Sequence, residues 1–114
     1  MRLAFLLATL NGNKLLAADI PGAYLNAACA ETIRTVLGPK FGELQGRSAI
    51  FVEAIYSLRS SGFAFCTFLA SVIRQEMNFV PCRRDVDVWR REWTKSNSQK
   101  YYEYLLVYTD TVLQ

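Results

Sequence analysis

In Tyr101-Tyr102-Glu103-Tyr104-Leu105-Leu106-Val107-Tyr108-Thr109-Asp110-Thr111-Val112-Leu113-Gln114, aromatic and apolar residues dominate the first eight positions. A Thr-Asp-Thr triplet then interrupts them before Val112. The run reads as a strand, because such side chains suit a pleated, half-buried surface. The triplet reads as a tight turn leading into a return strand.

Working upstream, residues 95–100 form a polar turn, and Asp85-Val86-Asp87-Val88-Trp89 alternates with the period of a strand that has one wet face. These last two strands suit an antiparallel pair. Before them, Ser60-Ser61 can cap a helix over residues 62–77. Phe65, Phe68, Leu69, Val72 and Ile73 fall at helical spacing on one side of it.

Residues 48–56 and 32–37 read as strands, separated by a loop punctuated by Gly38, Gly42 and Gly46. That loop is not a phosphate-binding P-loop, since no Gly-Lys-Ser/Thr follows. Residues 23–28 suit a short helical piece after the Pro21-Gly22 turn. Residues 15–20 suit a buried strand with Asp19 near its end, and residues 2–10 suit a helix stopped by Asn11-Gly12. The order is helix, strand, loop, strand, helix, strand, strand. It fits an α+β layer better than a doubly wound parallel sheet.

The 114 residues allow one domain with one core. A formal charge of +3 permits a nucleic-acid or acidic-lipid partner without demanding one. The chain has no histidine, which excludes Ser-His-Asp and Cys-His catalysis in their usual forms and Cys/His zinc fingers. Cys29, Cys66 and Cys82 are widely spaced and include no Cys-x-x-Cys pair, so reduced thiols in an intracellular protein, cytoplasmic or nuclear, are expected. The apolar start resembles a signal peptide, but Asn11-Gly12-Asn13-Lys14 interrupts it before a cleavage site, and no run is long enough to cross a bilayer.

Asp19 at a strand end and Asp110 at a hairpin tip are the carboxylates that stand out by position. Paired in space, two such groups can hold divalent magnesium, a hard cation that takes charged oxygen ligands. Among ten acidic residues many such pairs can be drawn, so the flanking residues decide.

Leu16-Ala17-Ala18-Asp19-Ile20-Pro21-Gly22-Ala23-Tyr24-Leu25-Asn26-Ala27 resembles the first palm motif of copia-type retrotransposon reverse transcriptases, an apolar strand ending in Asp followed by A-[F/Y]-L-N. Ala54-Ile55-Tyr56-Ser57-Leu58-Arg59 resembles the family's A-L-Y-G-L-K, and Arg84-Asp85-Val86-Asp87-Val88-Trp89 its A-D-P-x-[L/V]-[F/W]. Leu105-Leu106-Val107-Tyr108-Thr109-Asp110-Thr111 resembles L-L-V-Y-V-D-D. The four segments occur in the family's order.

The resemblance implies a polymerase palm over residues 1–114, a two-layer sandwich of mostly antiparallel sheet with helices on one face. It implies an RNA-directed DNA polymerase that joins deoxynucleotides to a primer 3′-hydroxyl with two magnesium ions. Asp19 and Asp110 would be the catalytic metal ligands, and Tyr24 the ring that excludes a ribose 2′-hydroxyl. Arg59 and Ser60 would lie against the incoming nucleotide. Primer-template RNA or DNA would be the partner, with no membrane.

The sequence departs from the family where it matters. The second hairpin aspartate is Thr111, which cannot replace a carboxylate's charge. The glycine of A-L-Y-G-L-K is Ser57, a strained choice if that position needs positive φ. Gln and Trp are frequent in the family where Ser60 and Phe65 stand. The fingers, thumb and RNase H regions are expected to be absent, with exposed sheet edges as a result. An inactive fragment is the expectation.

Other readings stand beside this one. A non-catalytic nucleic-acid-binding module could use Arg83, Arg84, Arg90, Arg91, Lys95 and Lys100, and a small interaction domain could use a sheet edge. Asp85 and Asp87 form the D-x-D that holds metal-bound sugar nucleotides in some glycosyltransferases, although the alternation favours two solvent-facing strand residues. Tyr101, Tyr102, Tyr104 and Tyr108 could stack on bases or serve packing and sheet edges.

Overall fold

The computed structural model describes residues 2–108 and, for the backbone alone, 111–113. The chain divides into two compact units, residues 1–21 with 70–114, and residues 22–69. Helix combined with antiparallel sheet makes the arrangement α+β.

The first unit begins with α1 (Arg2–Leu10). Gly12 ends it at φ 63°, where a residue without Cβ carries no steric cost. The Gly12 and Asn13 amides donate to Thr9 and Ala8, which satisfies carbonyls at the helix end. Only one residue of α1, Ala8, is buried, while Leu3 and Leu10 are among the most exposed apolar side chains.

β1 (Ala17–Asp19) lies at one edge of a five-stranded sheet of order β1-β7-β6-β5-β4. The other strands are β4 (Val80–Pro81), β5 (Val88–Thr94), β6 (Lys100–Tyr108) and β7 (Thr111–Leu113). Every pairing is antiparallel. The buried strand expected over residues 15–20 is corrected: all three β1 residues are exposed, because β1 is an edge strand paired with β7 alone. Both edges are short, and Pro81 removes one donor from β4, which limits edge-to-edge pairing.

The strand expected over residues 85–89 begins only at Val88. Before it, the Asp85 carboxylate accepts the Asp87 amide at 3.0 Å, and the Asp85 carbonyl accepts the Val88 amide. Aspartate competes for local backbone donors in this way, and the resulting turn wins over the alternation. The D-x-D is therefore an exposed turn, not two strand residues. Ile73, Phe79, Trp89 and Leu105 are buried in this unit, each with at most 5% exposure.

The second unit holds β2 (Arg34–Val36) and β3 (Ser48–Ile50), an antiparallel hairpin closed by 3-10 turns over Pro39–Leu44. β3 is shorter than the strand expected over residues 48–56. Beyond it the chain turns to a second partner: the Cys29 amide donates to Val52 and the Ala54 amide to Ala27. The division between units falls inside α2 (Ser61–Gln75), whose Phe65 and Ile73, eight residues apart on one face, are both 1% exposed. Phe68, expected in the core, is 39% exposed. Asn78 at φ 58° follows the helix, and the Phe79 amide donates back to Ile73.

Candidate functional site

In the first unit, β1 carries Asp19 directly opposite Thr111 of β7, and Thr111 is in turn opposite Tyr108 of β6. Asp19, Thr111 and Tyr108 thus form one row across three strands. Opposed residues of an antiparallel pair have Cα atoms about 4.5–5.5 Å apart. Asp19 is exposed. Asp110, expected at a hairpin tip, lies outside the described residues.

Two magnesium ions need a concentration of carboxylate oxygens. Among the described residues, no group of three or more acidic or cysteine side chains is placed to hold a metal. At this row the described ligand set is Asp19 alone, facing a threonine position. Asp19 is the ligand this row offers among the described residues, and its expected partner Asp110 is not among them.

In the second unit, Tyr24 stands in a 3-10 turn, Ala23–Asn26, entered through Gly22 in the left-handed region. Asn26 Nδ2 donates to the carbonyls of Gly22 and Ala23, which fixes this turn. The half-buried Tyr24 ring stacks on Tyr56 at 4.6 Å between centroids and meets Phe65 at 5.7 Å. Ala23, Ala27 and Ala54 are buried beside them in the same unit. Small residues at these points let the 3-10 turn and the segment after β3 approach closely enough to exchange backbone hydrogen bonds.

Ser57 has φ 77°, a left-handed conformation in a non-glycine residue. The segment that follows leaves Arg59 exposed. Ser60 and Ser61 open α2 with hydroxyls that are buried and have no hydrogen-bond partner among the described residues. The capping bond that the two serines could make is therefore not formed by either hydroxyl, although the Ser60 carbonyl accepts the Ala64 amide.

The structure thus joins Asp19 to the β6–β7 hairpin, and it joins Tyr24 to the segment holding Ser57, Arg59 and Ser60. Sequence reasoning missed Arg91 as an organising residue. Arg91 donates to Glu103 through Nε at 3.0 Å and to the Met77 carbonyl at 2.8 Å, and its guanidinium lies over Phe79 and Trp93. The signal was present, since Arg91 and Glu103 lie at facing positions of two alternating strands. A shallow open depression lined by Arg34, Ser48, Ala49 and Ile50 contains none of the candidate residues.

No protein-family model, curated protein or solved structure matches the chain. No helix among the described residues is long and apolar enough to cross a membrane.

Proposed function

We propose that this chain is a palm segment of a copia-type retrotransposon reverse transcriptase whose catalytic centre has lost a carboxylate and no longer polymerises. The observation that carries this reading is the register of β1 on β7, with Asp19 opposite Thr111. In the family resemblance these are the first metal-binding aspartate and the second hairpin aspartate. A palm needs those two positions adjacent, and they are 92 residues apart in sequence.

Ser57 supplies independent support. The resemblance puts a glycine there, and the backbone has the positive φ for which glycine is the ordinary choice. Tyr24 fits a steric gate in that stacking on Tyr56 restrains its ring, and a restrained ring excludes by volume. Arg59 is exposed and able to meet a phosphate. When bound, magnesium would activate the primer 3′-oxygen and neutralise the leaving phosphate. With threonine in place of the second hairpin carboxylate, the chain lacks a ligand for that task.

Primer extension with magnesium or manganese, comparing the parent with Thr111→Asp, tests the reading. No incorporation by the parent and incorporation by Thr111→Asp is the expected result. Incorporation by the parent would overturn the assignment of inactivity. Silence from a folded Thr111→Asp chain would remove the lost carboxylate as the sufficient cause.

A further inference from the structure

The register of β5 on β6 sorts the tyrosines that sequence alone left ambiguous. Arg90 is opposite Tyr104, Glu92 opposite Tyr102, and Thr94 opposite Lys100, so these residues share one face of the hairpin. On that face Tyr102, Tyr104 and Tyr108 are 53%, 49% and 69% exposed. The other face carries the buried Trp89 and Leu105.

The charges of the open face are unequal. Glu92 is engaged by Lys100 at 2.9 Å. Arg90 is exposed, lies over the Tyr102 ring at 5.6 Å, and pairs with no carboxylate among the described residues. An exposed guanidinium beside an aromatic ring, with no carboxylate to occupy it, keeps N–H donors that a phosphate can reach. Tyr102 and Tyr104 are two residues apart along β6, about 6.8 Å, and Tyr108 lies four residues further on.

We propose that the open face of the β5–β6 hairpin is a binding site for single-stranded nucleic acid, with bases stacking on Tyr102 and Tyr104 and phosphate meeting Arg90. Flat, exposed rings beside an uncompensated cation are what unpaired bases on an anionic backbone require. Duplex bases already stack on one another and do not present their faces. The site shares its partner class with the polymerase reading but none of the residues that reading assigns. It stands whether or not the chain polymerises.

The test is fluorescence anisotropy of the full chain with a fluorescein-labelled single-stranded RNA about 12 nucleotides long, without metal or nucleotide. Binding should weaken with salt, with a logarithmic slope of about −0.7 per phosphate contacted. Tyr102→Ala and Tyr104→Ala should each weaken binding about five-fold or more. Arg90→Gln should reduce the salt slope by about 0.7, the share of one phosphate. Tyr102→Leu retains bulk on the strand but removes the flat ring, so it separates lost stacking from lost folding. It should lose affinity while keeping the parent's thermal unfolding.

No binding at low salt would overturn the proposal, as would parental affinity in the folded Tyr102→Leu chain. Equal affinity for a duplex of the same length would also overturn it. Binding lost with Tyr102→Leu in a chain whose folded Thr111→Asp form never incorporates nucleotide would support this site while removing the lost carboxylate as the sufficient cause of inactivity. Incorporation by Thr111→Asp together with tyrosine-independent binding would do the reverse.

Discussion

Asp19 and Thr111 face each other across the β1–β7 pairing. A carboxylate introduced at Thr111 would therefore stand within one strand spacing of Asp19, near enough for a divalent cation to join them. Thr111→Asp is expected to raise affinity for manganous ion about ten-fold or more, measured by calorimetry. Adding Asp19→Asn should cancel the gain. A gain that survives Asp19→Asn would mean that the two positions do not share an ion.

Ser57→Gly should stabilise the protein by about 1 kcal/mol, because φ 77° strains a residue with Cβ and leaves glycine unstrained. Glycine's greater freedom in the unfolded chain offsets part of the relief. Denaturant unfolding reads the difference, and a destabilised Ser57→Gly chain would show that the serine is not under strain.

How much of this was legible in sequence depends on the element. The hairpin strands and the helix stop at Asn11-Gly12 were readable because aromatic runs and turn residues act locally. The exposure of β1 was not readable, since an apolar run such as Leu15 to Ile20 does not reveal whether its strand lies at an edge. The Asp85 turn was hidden by an alternation that a local side-chain hydrogen bond overrode. The Ser57 strain was suspected only through resemblance to a glycine-bearing motif, and residue type alone gives no φ. Asp110, the second carboxylate singled out in the sequence, lies outside the described residues.

Arg91→Leu should destabilise the protein by about 2 kcal/mol. The Arg91–Glu103 pair is 23% and 22% exposed, between the surface and buried limits. Leucine would leave Glu103 without its cation and remove the guanidinium from Phe79 and Trp93. For a chain of this size the loss corresponds to a fall in Tm of roughly 8 °C. Arg91→Lys should recover only part of it, since a point charge cannot reproduce the fork. Full recovery with lysine would reduce the network to simple charge.

Tyr101 should ionise above the usual tyrosine range. Desolvation raises its pKa first, followed by its hydrogen bond to Glu103, to which its hydroxyl donates at 3.2 Å. A pKa raised in the folded state means that the folded protein holds this proton where the unfolded chain releases it. The resulting stability is present below about pH 10 and is lost as pH rises through the folded pKa. Tyrosinate absorbance should show a late-titrating component that Tyr101→Phe removes. If that component survives Tyr101→Phe, it belongs to another tyrosine.

Tyr24 carries two demands that substitution can separate. Its ring stacks on Tyr56 and touches Phe65, so Tyr24→Ala should cost about 2–3 kcal/mol through lost packing and aromatic contact. Tyr24→Phe keeps the ring and should cost less than about 0.5 kcal/mol, a change within the range of a neutral substitution. If the ring is also a gate against the ribose 2′-hydroxyl, Tyr24→Phe in a polymerising Thr111→Asp chain should keep the preference for deoxynucleotides, because exclusion by volume does not need the hydroxyl. Tyr24→Val, smaller but still apolar, should admit ribonucleotides while losing less stability than alanine. A Tyr24→Val chain that stays folded, incorporates deoxynucleotides and still rejects ribonucleotides would leave Tyr24 with its packing role alone.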